Sequence, residues 1–205
     1  MRTSKTIFSV SILGLLLVGS VCLKAQNAVP YGPEPDKIKW HTFQEAVELN
    51  KKEKRKIFID MYTDWCGWCK VLDRTTFTDP IIVKYMNEKY YAVKLNAEMK
   101  DTIVFNNYSF VNPSPNTPRS MHQLATSLFG QQSISYPTTV YLDESFNMLT
   151  LLSGYRKPED LEPIVKFFGD NIHQTVKWDD YIKTFKGEVV PAPPPPTFTP
   201  PVIPH

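Results

Sequence analysis

The sequence predicts an α/β fold, a central mixed β-sheet flanked by helices on both faces. Three observations predict it. Helical and strand patterns alternate along the chain in the order helix, strand, helix, strand, helix, strand pair, helix. Ile57 to Tyr62 is a short apolar run, which reads as a strand buried on both faces. Strand–helix–strand crossovers place the early strands parallel in one sheet. The final pair, joined by a short turn, reads as antiparallel.

The elements follow in order. Thr42 and Glu45 form a capping-box pattern, and Phe43, Ala46, Val47 and Asn50 share one face of the helix it starts. The run Lys51 to Lys56 is mostly basic and reads as solvated. After the Ile57–Tyr62 strand come Cys66 and Cys69, then a helix from about Gly67 to Phe77. Asp79 is the expected N-cap of a second helical segment, with Pro80 at its first position. Tyr90 to Leu95 is the next strand. Asn96 to Pro118 holds three prolines, five asparagines and no clear period, so it is expected to be a long inserted loop. Helical character returns around Arg119 to Phe129. Thr138 to Leu142 and Met148 to Leu152 read as strands joined by a turn near Glu144-Ser145. Pro158 to Phe168 reads as a helix, and Trp178 to Phe185 as one more short helix.

These elements place the folded domain at residues 38–174, with the insertion at 96–118 and a helical extension at 175–190. Residues 191–205 hold eight prolines and are expected to form a polyproline-type tail. Residues 26–37 read as a linker. Residues 1–25 carry the three-part pattern of an export signal: Arg2 and Lys5, an uncharged stretch from Ile7 to Val21, and Ala25 as a small residue before a cleavage point. Ile7 to Val21 is short for a spanning helix, which wants about 20 apolar residues. An uncleaved anchor and a lipidated Cys22 are the competing readings. Lipidation wants a small residue directly before the cysteine, and Val21 stands there. Cleavage after Ala25 removes Arg2, Lys5 and Lys24 and leaves 20 basic against 21 acidic side chains. The formal net charge of the 205-residue chain is +2, which gives no electrostatic footprint for nucleic acid.

Beyond Cys22, Cys66 and Cys69 are the only cysteines. A lone Cys-x-x-Cys also makes half of a zinc site, but structural zinc wants four ligands. His41, His122, His173 and His205 are scattered without ligand spacing, so no metal is assigned. Placement favours redox chemistry instead. A thiol attacks only as thiolate, and a helix N-terminus stabilises that charge. Cys66 is expected where a strand gives way to a helix, with Cys69 one turn deeper. Cys66 can then attack a disulfide, and Cys69 can resolve the mixed disulfide.

The segment Ile59-Asp60-Met61-Tyr62-Thr63-Asp64-Trp65-Cys66-Gly67-Trp68-Cys69-Lys70 resembles the active-site segment of the thioredoxin superfamily. It is most similar to the C-terminal, periplasmic domain of DsbD-type thiol:disulfide interchange proteins, whose helix continues much as Thr76-Phe77-Thr78-Asp79-Pro80 does here. The resemblance covers roughly Trp40 to Phe168. It implies a thioredoxin-like fold and no cofactor. It implies that Asp60 is the buried carboxylate that takes the proton of the inner cysteine, and that Lys94 pairs with it. An aspartate in water at a strand end and an ordinary exposed lysine are the plainer readings. Tyr136-Pro137-Thr138 matches the cis-proline loop that faces the cysteines, where a trans-proline at a strand start is the alternative. Gly154 matches a glycine beside the site. Trp65, Gly67, Trp68, Tyr136 and Pro137 are the implied substrate contacts, with Trp65, Trp68 and Tyr136 as an apolar rim. Gly67-Trp68 departs from the pair in thioredoxin itself, and the insertion has no counterpart there.

The resemblance therefore implies an exported, periplasmic thiol:disulfide oxidoreductase working on protein disulfides through Cys66 and Cys69. Reduction is the expected direction, with a membrane protein as electron donor. Keeping a haem-attachment cysteine pair reduced is one specific version. An adaptor module with incidental thiols and a metal-handling Cys-x-x-Cys protein are the rivals.

Overall fold

A computed structural model describes residues 37–191 of the chain. The expected signal at 1–25, the lipidation alternative at Cys22, nearly all of the linker and all but Pro191 of the proline-rich tail lie outside those residues. Among the described residues seven strands and six α-helices follow in order: β1 (Trp40–His41), α1 (Phe43–Lys52), β2 (Lys56–Tyr62), α2 (Gly67–Thr75), α3 (Pro80–Lys89), β3 (Tyr90–Asn96), β4 (Ile103–Phe105), β5 (Tyr108–Phe110), α4 (Gln123–Phe129), β6 (Thr138–Leu142), β7 (Met148–Ser153), α5 (Pro158–Gly169) and α6 (Trp178–Thr184). A 3-10 turn at Ile172–Gln174 joins α5 to α6.

The main sheet has the order β1-β3-β2-β6-β7. β1, β3 and β2 run parallel, and β6 and β7 are antiparallel. This is the predicted mixed sheet. Strand alternation sorts the side chains of β2 between its two faces. Ile57, Ile59 and Met61 pack with Phe43 and Ala46 of α1 and Leu124, Ala125 and Phe129 of α4. Phe58 points the other way, among Leu72 of α2, Ile82 and Met86 of α3 and Leu161 and Val165 of α5. Asp60 shares the parity of Phe58, so the sheet directs it to the side that α2 covers.

Local chemistry sets the helix starts. Thr42 and Glu45 form both halves of the capping box at α1. Asp79 caps α3 by accepting from the N–H groups of Ile81 and Ile82, with Pro80 following. The turn after β6 is tied by Asp143, whose Oδ1 accepts from the N–H groups of Ser145 and Asn147 at 2.8 Å each.

Four details differ from the sequence reading. β1 is two residues long, too short to show a period. The inserted segment is not structureless: β4 and β5 form a hairpin turned by Asn106 and Asn107, at φ 50° and 62°. Asparagine is tolerant of that left-handed backbone, and a two-residue turn of this kind matches strand twist. α4 begins at Gln123 rather than Arg119, because the buried His122 is its cap, accepting from the N–H of Leu124 at 3.2 Å. Lys56, expected in water, is 2% exposed and donates to Glu144 (2.7 Å) and Asn171 (2.6 Å).

The region after α5 folds back onto it. Trp178 meets Phe167 edge-on with ring centroids 5.2 Å apart. The buried Glu162 carboxylate accepts from Lys166 Nζ at 2.8 Å and from the N–H groups of Glu188 (2.7 Å) and Val189 (3.0 Å). Burial pushes the Glu162 carboxyl up, but Lys166 and the two N–H groups outweigh it and hold it below the usual range. Stability from such a carboxylate is present above its unfolded pKa and is lost as pH falls through the lower folded value. Glu162→Ala is expected to cost about 2–3 kcal/mol at pH 7, the scale of hydrogen bonds to a buried charge. Denaturant titration checks this, and the difference from the parent should shrink in acid below the usual carboxylate range.

Candidate active site

β2 ends at Tyr62, and the turn Thr63-Asp64-Trp65 leads into α2. The N–H of Cys66 donates to Thr63 O at 3.1 Å, closing that turn. Cys66 is the N-cap of α2 and is disulfide-bonded to Cys69, with Cα atoms 5.3 Å apart. The Cys69 N–H donates to Cys66 Sγ at 3.0 Å. Cys66 is 5% and Cys69 2% exposed, so exposure alone separates them little. Position separates them more. Cys66 Sγ meets a free N–H at the helix start, where the helix field also favours negative charge. A Cβ at Gly67 would meet open space, so this position crowds nothing behind it.

Asp60 and Lys94 meet because of strand register. They are directly paired residues of the parallel strands β2 and β3. Lys94 Nζ donates to Asp60 Oδ2 at 2.6 Å. The Asp60 side chain is wholly buried, and its Oδ1 has no hydrogen-bond partner among the described residues. Burial disfavours the carboxylate more than Lys94 favours it, and the pKa is pushed up to about 6. For Lys94 the balance is reversed. Burial disfavours the ammonium, but the Asp60 and Asp73 carboxylates raise its pKa overall.

Sequence reasoning missed the role of Asp73 as a second partner for Lys94 Nζ. Asp73 stands four residues after Cys69, so the two share a face of α2. That spacing was the available signal. The ammonium is further enclosed by the rings of Trp40 (4.8 Å), Tyr62 (5.3 Å) and Phe77 (5.4 Å).

The Tyr136-Pro137 peptide bond is cis. Pro137 O accepts from the N–H of Gly154 at 2.8 Å, and Gly154 has φ 93°, a backbone that glycine adopts without strain. The Tyr136 ring meets Trp65 edge-on at 5.9 Å, which brings the proline loop beside the residue before Cys66. Trp65 is 54% and Trp68 61% exposed. The aromatics beside the cysteines stand in two pairs. Trp65 pairs with Tyr136, whereas Trp68 lies over Tyr155 at 5.5 Å. Tyr155 is 87 residues beyond Trp68 by number, and nothing in the sequence marked it. The redox pair is thus flanked by two aromatic pairs. Among the described residues no three His, Cys, Asp or Glu side chains stand close enough to hold a metal ion.

The family model described as "Thioredox_DsbH: Protein of unknown function, DUF255" matches residues 30–149. The thiol:disulfide interchange protein DsbD of Vibrio vulnificus is 33% identical over 45 residues, 22% of this chain and 8% of that protein. Spermatogenesis-associated protein 20 of Mus musculus is 27% identical over 67 residues, 32% of this chain and 8% of that protein. The matches span under a tenth of the length of these relatives. A solved structure titled as a putative disulphide-isomerase from Bacteroides thetaiotaomicron is 23% identical, covering 66% of this chain and 95% of that one, with a TM-score of 0.46.

Proposed function

We propose, from the premise that this chain belongs to the Thioredox_DsbH family, that it is an exported protein-disulfide reductase. The observation that carries the reading is the Cys66–Cys69 disulfide at the N-terminus of α2, with Cys66 Sγ as the helix cap. In the reduced protein the Cys66 thiolate attacks one sulfur of a protein disulfide. The substrate S–S bond breaks and its other sulfur leaves as thiolate. Cys69, losing its proton, then attacks Cys66 and releases the second substrate sulfur. Two electrons pass to the substrate, and the Cys66–Cys69 disulfide forms. Asp60 is the proton acceptor for Cys69, through the oxygen that Lys94 leaves free. Lys94 positions that carboxylate. Trp65, Gly67, Trp68, Tyr136 and Pro137 border the substrate.

Disulfide exchange is supported by the 45-residue similarity to a protein named for thiol:disulfide interchange; the reductive direction is our reading of the resemblance carried by Ile59 to Lys70. A reductase of this kind needs its disulfide re-reduced, and a membrane electron donor is the partner we assign. Export rests on the Arg2–Ala25 pattern. It predicts a processed chain beginning at Gln26, which mass spectrometry of the exported protein checks.

The reduction potential of the pair, titrated against glutathione, tests the function. A value near that of thioredoxin, about −270 mV, is expected. A value near that of the strong oxidants, about −120 mV, overturns the direction and makes the protein a disulfide donor. Failure to form the intramolecular disulfide overturns the exchange reading.

A further inference from the structure

The segment between β3 and α4 reaches Trp65, the residue directly before the redox pair. Its base is closed where the N–H of His122 donates to Ala97 O at 2.8 Å. The buried Asn112 knots its interior. Asn112 Nδ2 donates to Met99 O (3.2 Å) and Ser120 O (2.8 Å), and its Oδ1 accepts from Ser120 Oγ (2.6 Å) and the Ser114 N–H (3.1 Å). Residues Pro113 to Arg119 stay exposed around this knot. Pro113, Pro115 and Pro118 stiffen them.

This exposed stretch faces Asp64 across a cleft of about 330 Å³, with Glu98 and Lys100 on its walls. The neighbouring Trp65 joins the insertion to the redox pair. Trp65 Nε1 donates to Glu98 Oε1 at 2.8 Å, and the Arg119 guanidinium lies 5.2 Å from the Trp65 ring centre. The residue directly before Cys66 is therefore held by the insertion on one side and by Tyr136 on the other. Among the described residues, Arg119 and Lys100 have no carboxylate partner; Lys100 Nζ donates to Asn116 Oδ1 at 3.2 Å. Both cations can meet the oxygens of an incoming chain.

We propose that this cleft is a docking subsite for the polypeptide flanking the disulfide that Cys66 attacks. The occupant is an extended, polar segment whose oxygens are met by Arg119 and Lys100. The inference rests on the exchange reading above and adds a selectivity to it. The proline-stiffened rim is ordered before the partner arrives, which lowers the entropy lost on binding. A low-molecular-weight disulfide has no flanking chain to fill the cleft.

The test isolates the first step. Reduced Cys69→Ser protein is mixed with insulin, and separately with uncharged hydroxyethyl disulfide, and mixed-disulfide formation at Cys66 is timed. Adding Arg119→Ala with Lys100→Ala is expected to slow the insulin reaction about tenfold more than the small-disulfide reaction, equivalent to about 1.4 kcal/mol. Arg119→Lys beside an intact Lys100 should recover part of that selectivity, because the charge remains but the planar fork is lost. Equal slowing with both disulfides would make Arg119 a support for Trp65 and overturn the subsite, as would no slowing. If the Cys69→Ser protein attacks neither disulfide before these changes, the exchange reading fails and the subsite fails with it.

Discussion

Cys69→Ser turns a passing exchange into a trap. Cys66 attacks as before, but no second thiol releases the product, so a mixed disulfide through Cys66 accumulates with protein substrates. Cys66→Ser should abolish exchange, lowering turnover by roughly 10³-fold or more, as expected when the nucleophile itself is removed. The asymmetry follows from the geometry. Cys66 Sγ caps α2 and accepts the Cys69 N–H, a setting that stabilises thiolate, whereas Cys69 lies within the helix. Non-reducing gels followed by peptide mass mapping would read the result. An adduct on Cys69 in the Cys66→Ser protein, formed as fast as the adduct on Cys66 in its counterpart, would reverse the assignment.

Asp60→Asn should slow the resolving step about 100-fold, within the range that positioned acid–base groups contribute. In the parent, that step should quicken as pH rises through about 6, where the Asp60 carboxyl loses its proton. The Asp60→Asn protein should lack this inflection. Asp73→Asn should move the inflection to lower pH. It removes a like charge that raises Asp60 and leaves Lys94 to Asp60 alone. An unchanged profile in both variants would remove Asp60 from the proton path.

Stability should move in the opposite sense from rate. The folded pKa of Asp60 is raised, so its contribution is fully present below the unfolded pKa and is lost as pH rises through about 6. Asp60→Asn should therefore stabilise the fold at pH 7, by up to about 3 kcal/mol, and change little below pH ~4. A variant that is slower yet more heat-resistant would show that this carboxylate is retained for chemistry at the expense of the core.

The parts legible in the sequence were those whose signal is local. The apolar run at Ile57–Tyr62, the capping residues Thr42 and Asp79, and the Cys-x-x-Cys at a strand-to-helix junction each announce themselves within a few residues. The parts that were not legible depend on chain brought from afar. Lys56 looks like one more surface lysine until Glu144 and Asn171 arrive. Trp68 finds Tyr155 only after β6 and β7 have returned the chain to α2. The three-residue strands β4 and β5 are too short to alternate, though Asn106-Asn107 was a turn signal in plain view. Asp73 needed the register of β2 against β3, which sets Lys94 opposite Asp60 and so within reach of α2.

The hydrogen bond from His122 to Ala97 has an evolutionary consequence. It brings the two ends of the insertion together at the sheet, so the exposed rim Pro113 to Arg119 is free to change in length while Ile103 keeps its place in the core. The entropic cost of lengthening such a loop grows only as the logarithm of its size. Descendants of this fold can therefore vary that rim while the cysteines, the buried carboxylate and its lysine stay where the strands put them.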